Sequence, residues 1–221
     1  MLCGFAEWFF KQGGAMPKIE SFEKHSDAYD AWFEKNRDQY EAELEAIRQL
    51  LPLPGAEGVE VGVGSGKFAA PLGIKFGVEP SAKLAIKARA RGVTVYSGVA
   101  EDLPFPDAQF DFVLMVTTLC FVDDVMQSFR QAFRVLKLSG CIIIAFIDRE
   151  SDMGKQYVAK QGESRFYKEA TFFSTHEVMK NLEAAGFRLA GIKQTLIPGM
   201  DSGTILNGFG KGAFVVVKGV K

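Results

Sequence analysis

Apolar residues recur along this chain in two rhythms. Tyr40, Leu44, Ile47 and Leu51 fall three and four apart, with acids early and Arg48 late, and predict a helix over 38–51. Pro52 and Pro54 end it. Val59, Val61 and Val63 are β-branched and predict a first strand. Ile74–Val78, Val93–Tyr96, Phe110–Val116 and Cys141–Ile147 read as four more. Phe110–Val116 is almost continuously apolar, as a strand covered on both faces must be. Between the strands the spacing turns helical. Ala82–Arg91 follows the cap Ser81 and stops at Gly92, and Asp123–Leu136 puts Val125, Phe129, Ala132, Phe133 and Leu136 on one face. Ser174 and Glu177 form a capping box that opens Thr175–Ala185, and Gly186 closes it. A short helical piece is expected at Lys67–Leu72. Phe187–Ile197 and Ala213–Val220 are strands with no helix between them, joined by a flexible link through Gly199, Gly203, Gly208, Gly210 and Gly212.

Strands alternating with helices predict an α/β fold: a doubly wound, mostly parallel sheet of seven strands whose last strand is antiparallel. Two stretches stand outside that alternation. In Ser21–Asn36 the residues Tyr29, Trp32 and Phe33 share a helical face, which either packs on the domain or closes as a lid over a pocket. Asp148–Thr171 is polar, carries Tyr157, Phe166 and Tyr167, and is long for a loop, as functional or partly helical insertions are. Residues 1–54 therefore read as an N-terminal extension and helical lid, and 55–221 as the main domain.

Composition narrows the picture. Of 221 residues, 48% are hydrophobic, enough for one α/β domain with appendages and no metal or disulfide staples. Lys and Arg number 26 against 27 Asp and Glu, which argues against a basic nucleic-acid surface. Cys3, Cys120 and Cys141 lie far apart without metal-ligand spacing, so no metal is expected, and they read as reduced thiols of a cytoplasmic protein. The apolar start M-L-C-G-F-A-E-W-F-F is too short to cross a bilayer, lacks a basic region and carries Glu7, so neither a signal peptide nor a membrane partner is expected. Met16 reads equally well as a start, leaving 1–15 as an extension.

The candidate chemistry lies at Val59–Lys67, V-E-V-G-V-G-S-G-K. Three glycines straight after a strand let the backbone take positive φ and approach a ligand closely. Ligands of open α/β sheets bind at such strand ends. Glu79 ends the second strand, where a carboxylate can accept hydrogen bonds from the vicinal hydroxyls of a ribose placed over the turn.

The G-x-G-x-G spacing, with Glu60 two residues ahead, resembles motif I of the class I S-adenosylmethionine (SAM)-dependent methyltransferases and differs from the G-x-G-x-x-G of dinucleotide folds. Gly98–Asp111, G-V-A-E-D-L-P-F-P-D-A-Q-F-D, closely resembles the type-11 group, which includes quinone-biosynthesis methyltransferases. V-L-K-L-S-G-C is similar to that group's V-L-K-P-G-G, departing at Leu138 and Ser139. The resemblance runs from about Gly55 to the C-terminus. It implies SAM as cofactor, S-adenosylhomocysteine as product and a small-molecule methyl acceptor. Gly62, Val63, Gly64 and Gly66 would form the loop at the methionine part, and Glu60 would either order that loop or bind the amino group through water. Glu79 would take the ribose, Pro80 and Ser81 would line the adenine side, and Ala100, Glu101 and Leu103 would edge or cover the ring. Val99 replaces the acid that usually accepts from the adenine amino group. Thr117 would lie beneath the sulfonium, Cys120 and Phe121 would face the acceptor, and Tyr29 and Tyr40 would close the pocket.

Methyl transfer asks mainly for positioning and water exclusion, with a base only where the acceptor must lose a proton. No base is visible. His25 and His176 read as solvated, and Asp123 and Asp148 follow strand ends near the pocket. Two other readings remain: a SAM-binding protein without transferase activity, compatible with Val99, and an NAD(P)-dependent oxidoreductase, which would need G-x-G-x-x-G and a parallel last strand.

Overall fold

The structure, a computed structural model, describes residues 18–221. The expectations for Cys3, the apolar start and Met16 lie outside the described residues. Three helices come first: α1 (Glu20–Lys24), α2 (Ser26–Lys35) and α3 (Arg37–Arg48). The sheet follows with β1 (Gly58–Val61), β2 (Phe76–Val78), α4 (Ala82–Ala90), β3 (Thr94–Tyr96), β4 (Phe110–Val116), α5 (Val125–Val135) and β5 (Leu136–Ile147). The chain ends with α6 (Asp152–Ala159), α7 (Thr175–Ala184), β6 (Arg188–Thr195), β7 (Leu206–Asn207) and β8 (Phe214–Val220).

The sheet order is β3-β2-β1-β4-β5-β8-β6-β7. The first five strands are parallel, and β8 inserts antiparallel between β5 and β6. The expected doubly wound sheet with an antiparallel last strand is therefore present. The chain winds outward from β1 through β2 and β3 to one side, and through β4 and β5 to the other. The crevice at the carboxyl ends of β1 and β4 is the topological switch point, where such sheets bind ligands.

Alternation along the strands builds two cores. On β5, Cys141, Ile143, Ala145 and Ile147 pack on the face covered by α3 and α4, with Ile47, Leu44, Ala85 and Ala88. Ile142, Ile144 and Phe146 pack on the other face, with Phe129 and Ala132 of α5 and Val178 and Leu182 of α7.

Three local differences from the sequence reading have physical causes. Lys67–Leu72 forms successive turns rather than a helix. Pro71 has no N–H to give the Lys67 carbonyl, and the Tyr40 hydroxyl donates to that carbonyl instead. The strand expected at Cys141 starts at Leu136, straight from the end of α5, because Phe110 pairs with Leu136 and Lys137 bonds Asp111 at 2.9 Å. Ser139 takes φ +64° there, a left-handed conformation that usually falls to glycine. The glycine-rich link contains an eighth, two-residue edge strand, β7. Its end is pinned: the Gln194 side-chain oxygen accepts from the Lys211 and Gly212 amides, each at 2.7 Å. The insertion after β5 agrees with the sequence reading: it is partly helical, as α6 capped by Ser151.

No helix among the described residues is long and apolar enough to cross a membrane. No cluster of three or more His, Cys, Asp or Glu among them could hold a metal ion.

Candidate functional site

At the end of β1, Gly62, Gly64 and Gly66 take φ of +71°, +54° and +81°, so all three need the freedom glycine has. The Gly62 and Val63 amides donate to the Val78 carbonyl at 2.8 and 3.0 Å, tying the loop to β2. Glu79 completes the tie. Its Oε2 accepts from the Gly64 amide and its Oε1 from the Ser81 amide, both at 2.8 Å. Burial pushes the Glu79 pKa up to about 7 against the lowering effect of those two amides. Glu60 is buried beside it, and its Oε2 has no hydrogen-bond partner among the described residues. Burial holds its pKa well above the usual carboxylate range.

β4 runs into a strained residue, Thr117 at φ +48°. Thr118 follows, and its hydroxyl donates to the Val116 carbonyl at 3.1 Å. The side chain fills the space a Cβ on Gly62 would need. On the far side, the 98–103 loop is fastened to α5. Glu101 accepts from the Asp123 and Asp124 amides at 2.7 and 3.2 Å, and Arg134 donates to the Leu103 carbonyl at 2.9 Å. The Glu101 carboxylate thus serves the start of α5.

Over this floor lies an aromatic roof drawn from three distant parts of the chain. Phe22 of α1 meets Phe121 at 5.1 Å and Phe166 of the insertion at 5.4 Å between ring centroids. Tyr167 stacks on Phe121 at 5.8 Å and on Tyr157 at 5.5 Å. Charges hold α1 and α2 down. Glu23 accepts from the Ser81 hydroxyl at 2.8 Å, Asp30 pairs with Arg91 at 2.8 Å, and Asp27 pairs with Lys87 at 2.7 Å. Arg91 also donates to the Ser65 carbonyl at 2.7 Å, so the clamp reaches the glycine loop.

Floor and roof enclose a cavity of about 390 Å³, in the range of small-ligand sites. Among the residues singled out from sequence, Gly62, Gly64, Glu79, Pro80, Ala100, Glu101, Thr117, Tyr29 and Phe121 line it. Glu60, Val63, Gly66, Ser81 and Leu103 do not. Gly66 packs on Ala88, Ser81 caps α4, and Val63 and Leu103 are buried in the core. Tyr40 is turned to the Lys67 carbonyl, and Cys120 lines a separate hollow of about 20 Å³ with Tyr167 and Phe172. Burial raises the Cys120 thiol to about 12. Asp123 lines the cavity and pairs with Lys18 at 3.3 Å. Asp148 is buried and accepts from Thr175 at 2.7 Å. His25 lies 6.5 Å from Phe166 and His176 4.9 Å from Phe209, and neither lines the cavity.

Gln39, Glu43, Thr118 and Gln127 also line the cavity and were not singled out from sequence. For Glu43 a signal existed: it lies three residues after Tyr40 and four before Ile47, on the apolar face of α3.

The chemistry of the lining would suit the parts of SAM. A buried carboxylate ends β2, glycine amides crowd the turn, and Val61, Val78, Val99 and Ala100 form an apolar slot beside them.

Comparison with known proteins agrees. The family described as "Methyltransferase domain" matches residues 59–144. An uncharacterized protein of Methanocaldococcus jannaschii is 41% identical over 203 residues, covering 90% of this chain and 98% of its own. A Thermotoga maritima crystal structure, described as a SAM-dependent methyltransferase and possible histamine N-methyltransferase, is 46% identical, with TM-score 0.88, over 92% of this chain and 99% of its own. A chain from a complex described as the Haloferax volcanii Trm112 methyltransferase activator with its candidate methyltransferase shares the fold at 19% identity and TM-score 0.72, over 94% of this chain and 99% of its own. With that agreement between loop, sheet and relatives, the chain belongs to the SAM-dependent methyltransferases.

Proposed function

We propose that this protein transfers a methyl group from SAM to a small acceptor bound beneath the aromatic roof. The observation that carries the reading is the continuity of the cavity. One space runs from Glu79 and the glycine loop, past Thr117 and Thr118, to the rings of the lid and insertion. When bound, SAM supplies a methyl group already activated by the positive charge on its sulfur.

The chain's own residues would do the rest. Glu79 would accept from the ribose hydroxyls with the lone pairs its two backbone amides leave free. The Val99 side chain cannot accept from an adenine amino group. Gln127 would do so with its amide oxygen, its amide nitrogen being held by the Glu101 carbonyl at 3.2 Å. Thr117 and Thr118 would set the edge against which the acceptor lies. Helices α1 and α2 would act as a lid, with Phe22, Tyr29 and Phe166 excluding water from the reacting atoms.

The test is incubation with methyl-labelled SAM and panels of amines, phenols, quinols and thiols. Label in an acceptor that depends on intact protein is the expected result. Binding of S-adenosylhomocysteine without transfer to any panel would favour the non-transferring SAM-binding reading instead.

A further inference from the structure

Glu43 lines the cavity, and the cofactor reading does not explain its presence there. It stands on the buried face of α3 among Ala42, Leu44, Ala46 and Ile47, and is only 4% exposed. A carboxylate there is costly unless something neutralises it. Among the described residues, the Gln39 amide at 2.9 Å is its one hydrogen-bond donor, and no Lys or Arg pairs with it. Burial accordingly raises its pKa to about 7. Tyr29, Tyr157 and Tyr167 lie near enough for its charge to raise their hydroxyl pKa values, and Trp32 and Phe166 line the same cavity.

We propose that Glu43, oriented by Gln39, holds the cationic nitrogen of a small amine or azole, and that this compound is the methyl acceptor. The second half of the proposal rests on the methyl-transfer reading above. Three physical points support it. A cation supplies the charge the buried carboxylate lacks. Aromatic faces attract cations and give no comparable gain to anions. A neutral hydroxyl would offer the carboxylate a hydrogen bond but leave its charge uncompensated. A nitrogen held as a cation by Glu43 has its lone pair occupied by a proton, so it is not the atom methylated. The nucleophilic atom is a second one in the same molecule, lying toward Thr117 and Thr118. Glu43 thus selects the acceptor by charge at one end while the cofactor is met at the other.

The test uses the full chain and three probes of one shape: benzylamine, benzyl alcohol and benzoate. Each is titrated calorimetrically at neutral pH, with and without saturating S-adenosylhomocysteine, into wild type, Glu43→Gln and Gln39→Leu. In wild type, benzylamine should bind about tenfold or more tightly than benzyl alcohol, with benzoate weakest. Glu43→Gln should erase that preference while leaving S-adenosylhomocysteine affinity unchanged, and Gln39→Leu should reduce it. Equal binding of the three by wild type, preference for the alcohol or the acid, no binding of any of them, or a preference that survives in Glu43→Gln would overturn the proposal. The arm without S-adenosylhomocysteine separates the two readings. Amine preference in a protein that does not bind S-adenosylhomocysteine would sink the methyltransferase reading and leave Glu43 as a cation site.

Discussion

The glycine loop and the end of β4 interlock at Gly62 and Thr118, and a double-mutant cycle measures how tightly. A Cβ on Gly62 would overlap the Thr118 hydroxyl and lie 2.5 Å from its Cγ2, with φ at +71°. Gly62→Ala therefore carries two penalties. Holding alanine in left-handed backbone costs about 1–2 kcal/mol, and forcing a methyl group into filled space costs about 1–3 kcal/mol more. Thr118→Ala alone loses the 3.1 Å bond to the Val116 carbonyl, about 0.5–1.5 kcal/mol. In the double variant the overlap with the Thr118 hydroxyl and Cγ2 is gone and the backbone penalty remains, so the pair should be more stable than the sum of the singles by about 1–3 kcal/mol. Urea unfolding of all four proteins, followed by circular dichroism, gives the coupling directly. Additivity within about 0.5 kcal/mol would show that the two segments do not share this space.

Further outcomes follow from the same contacts. Glu43 has its pKa raised from 4.5 to about 7 by burial, so its contribution to stability is full below pH 4.5 and lost as pH rises through 7. Glu60 and Glu79 behave alike in both proteins, so Glu43→Gln should gain on wild type by up to about 3 kcal/mol between acid and mildly alkaline pH, read by thermal melts; a gap that stays constant with pH refutes this. Tyr40→Phe keeps the ring contacts with Phe33 and Phe68 at 5.1 and 5.5 Å but strands the Lys67 carbonyl. It should cost about 1–2 kcal/mol in urea unfolding, and no loss would mean water replaces the hydroxyl. Arg91→Met removes both the Asp30 pair and the Ser65 carbonyl bond. Proteolysis within residues 20–36 should speed up about tenfold, and unchanged cleavage would show that the clamp does not hold the lid.

Much of this architecture is visible in single residues. The unbroken apolar run Ile142–Ile147 announces a strand covered on both faces, and Gly62, Gly64 and Gly66 announce a tight turn at a strand end, where side chains would be strained or obstructed. Glu79 is readable as a candidate ribose acid because it directly follows β2, where such acids stand in α/β sheets. What stayed hidden depends on contacts remote in sequence. Tyr40 reads as a pocket residue until the missing N–H of Pro71, 31 positions on, gives its hydroxyl another acceptor. Cys120 follows the same strand end as Thr117, yet the tight turn at Thr117–Phe121 sends its thiol back to the Thr117 carbonyl at 3.1 Å. Leu206–Asn207 is too short for any periodicity and forms a strand only because β6 offers an edge. Glu43 was legible in principle as an acid on an apolar helical face, but only the enclosing rings give that acid a purpose.

The central claim is that Glu79 and the glycine loop hold SAM. Calorimetric titration with S-adenosylhomocysteine, on wild type and Glu79→Ala, tests it most directly. Wild type should bind, and the variant should lose about 1–3 kcal/mol, the scale of charged hydrogen bonds. No binding by wild type, or equal binding by Glu79→Ala, would contradict it.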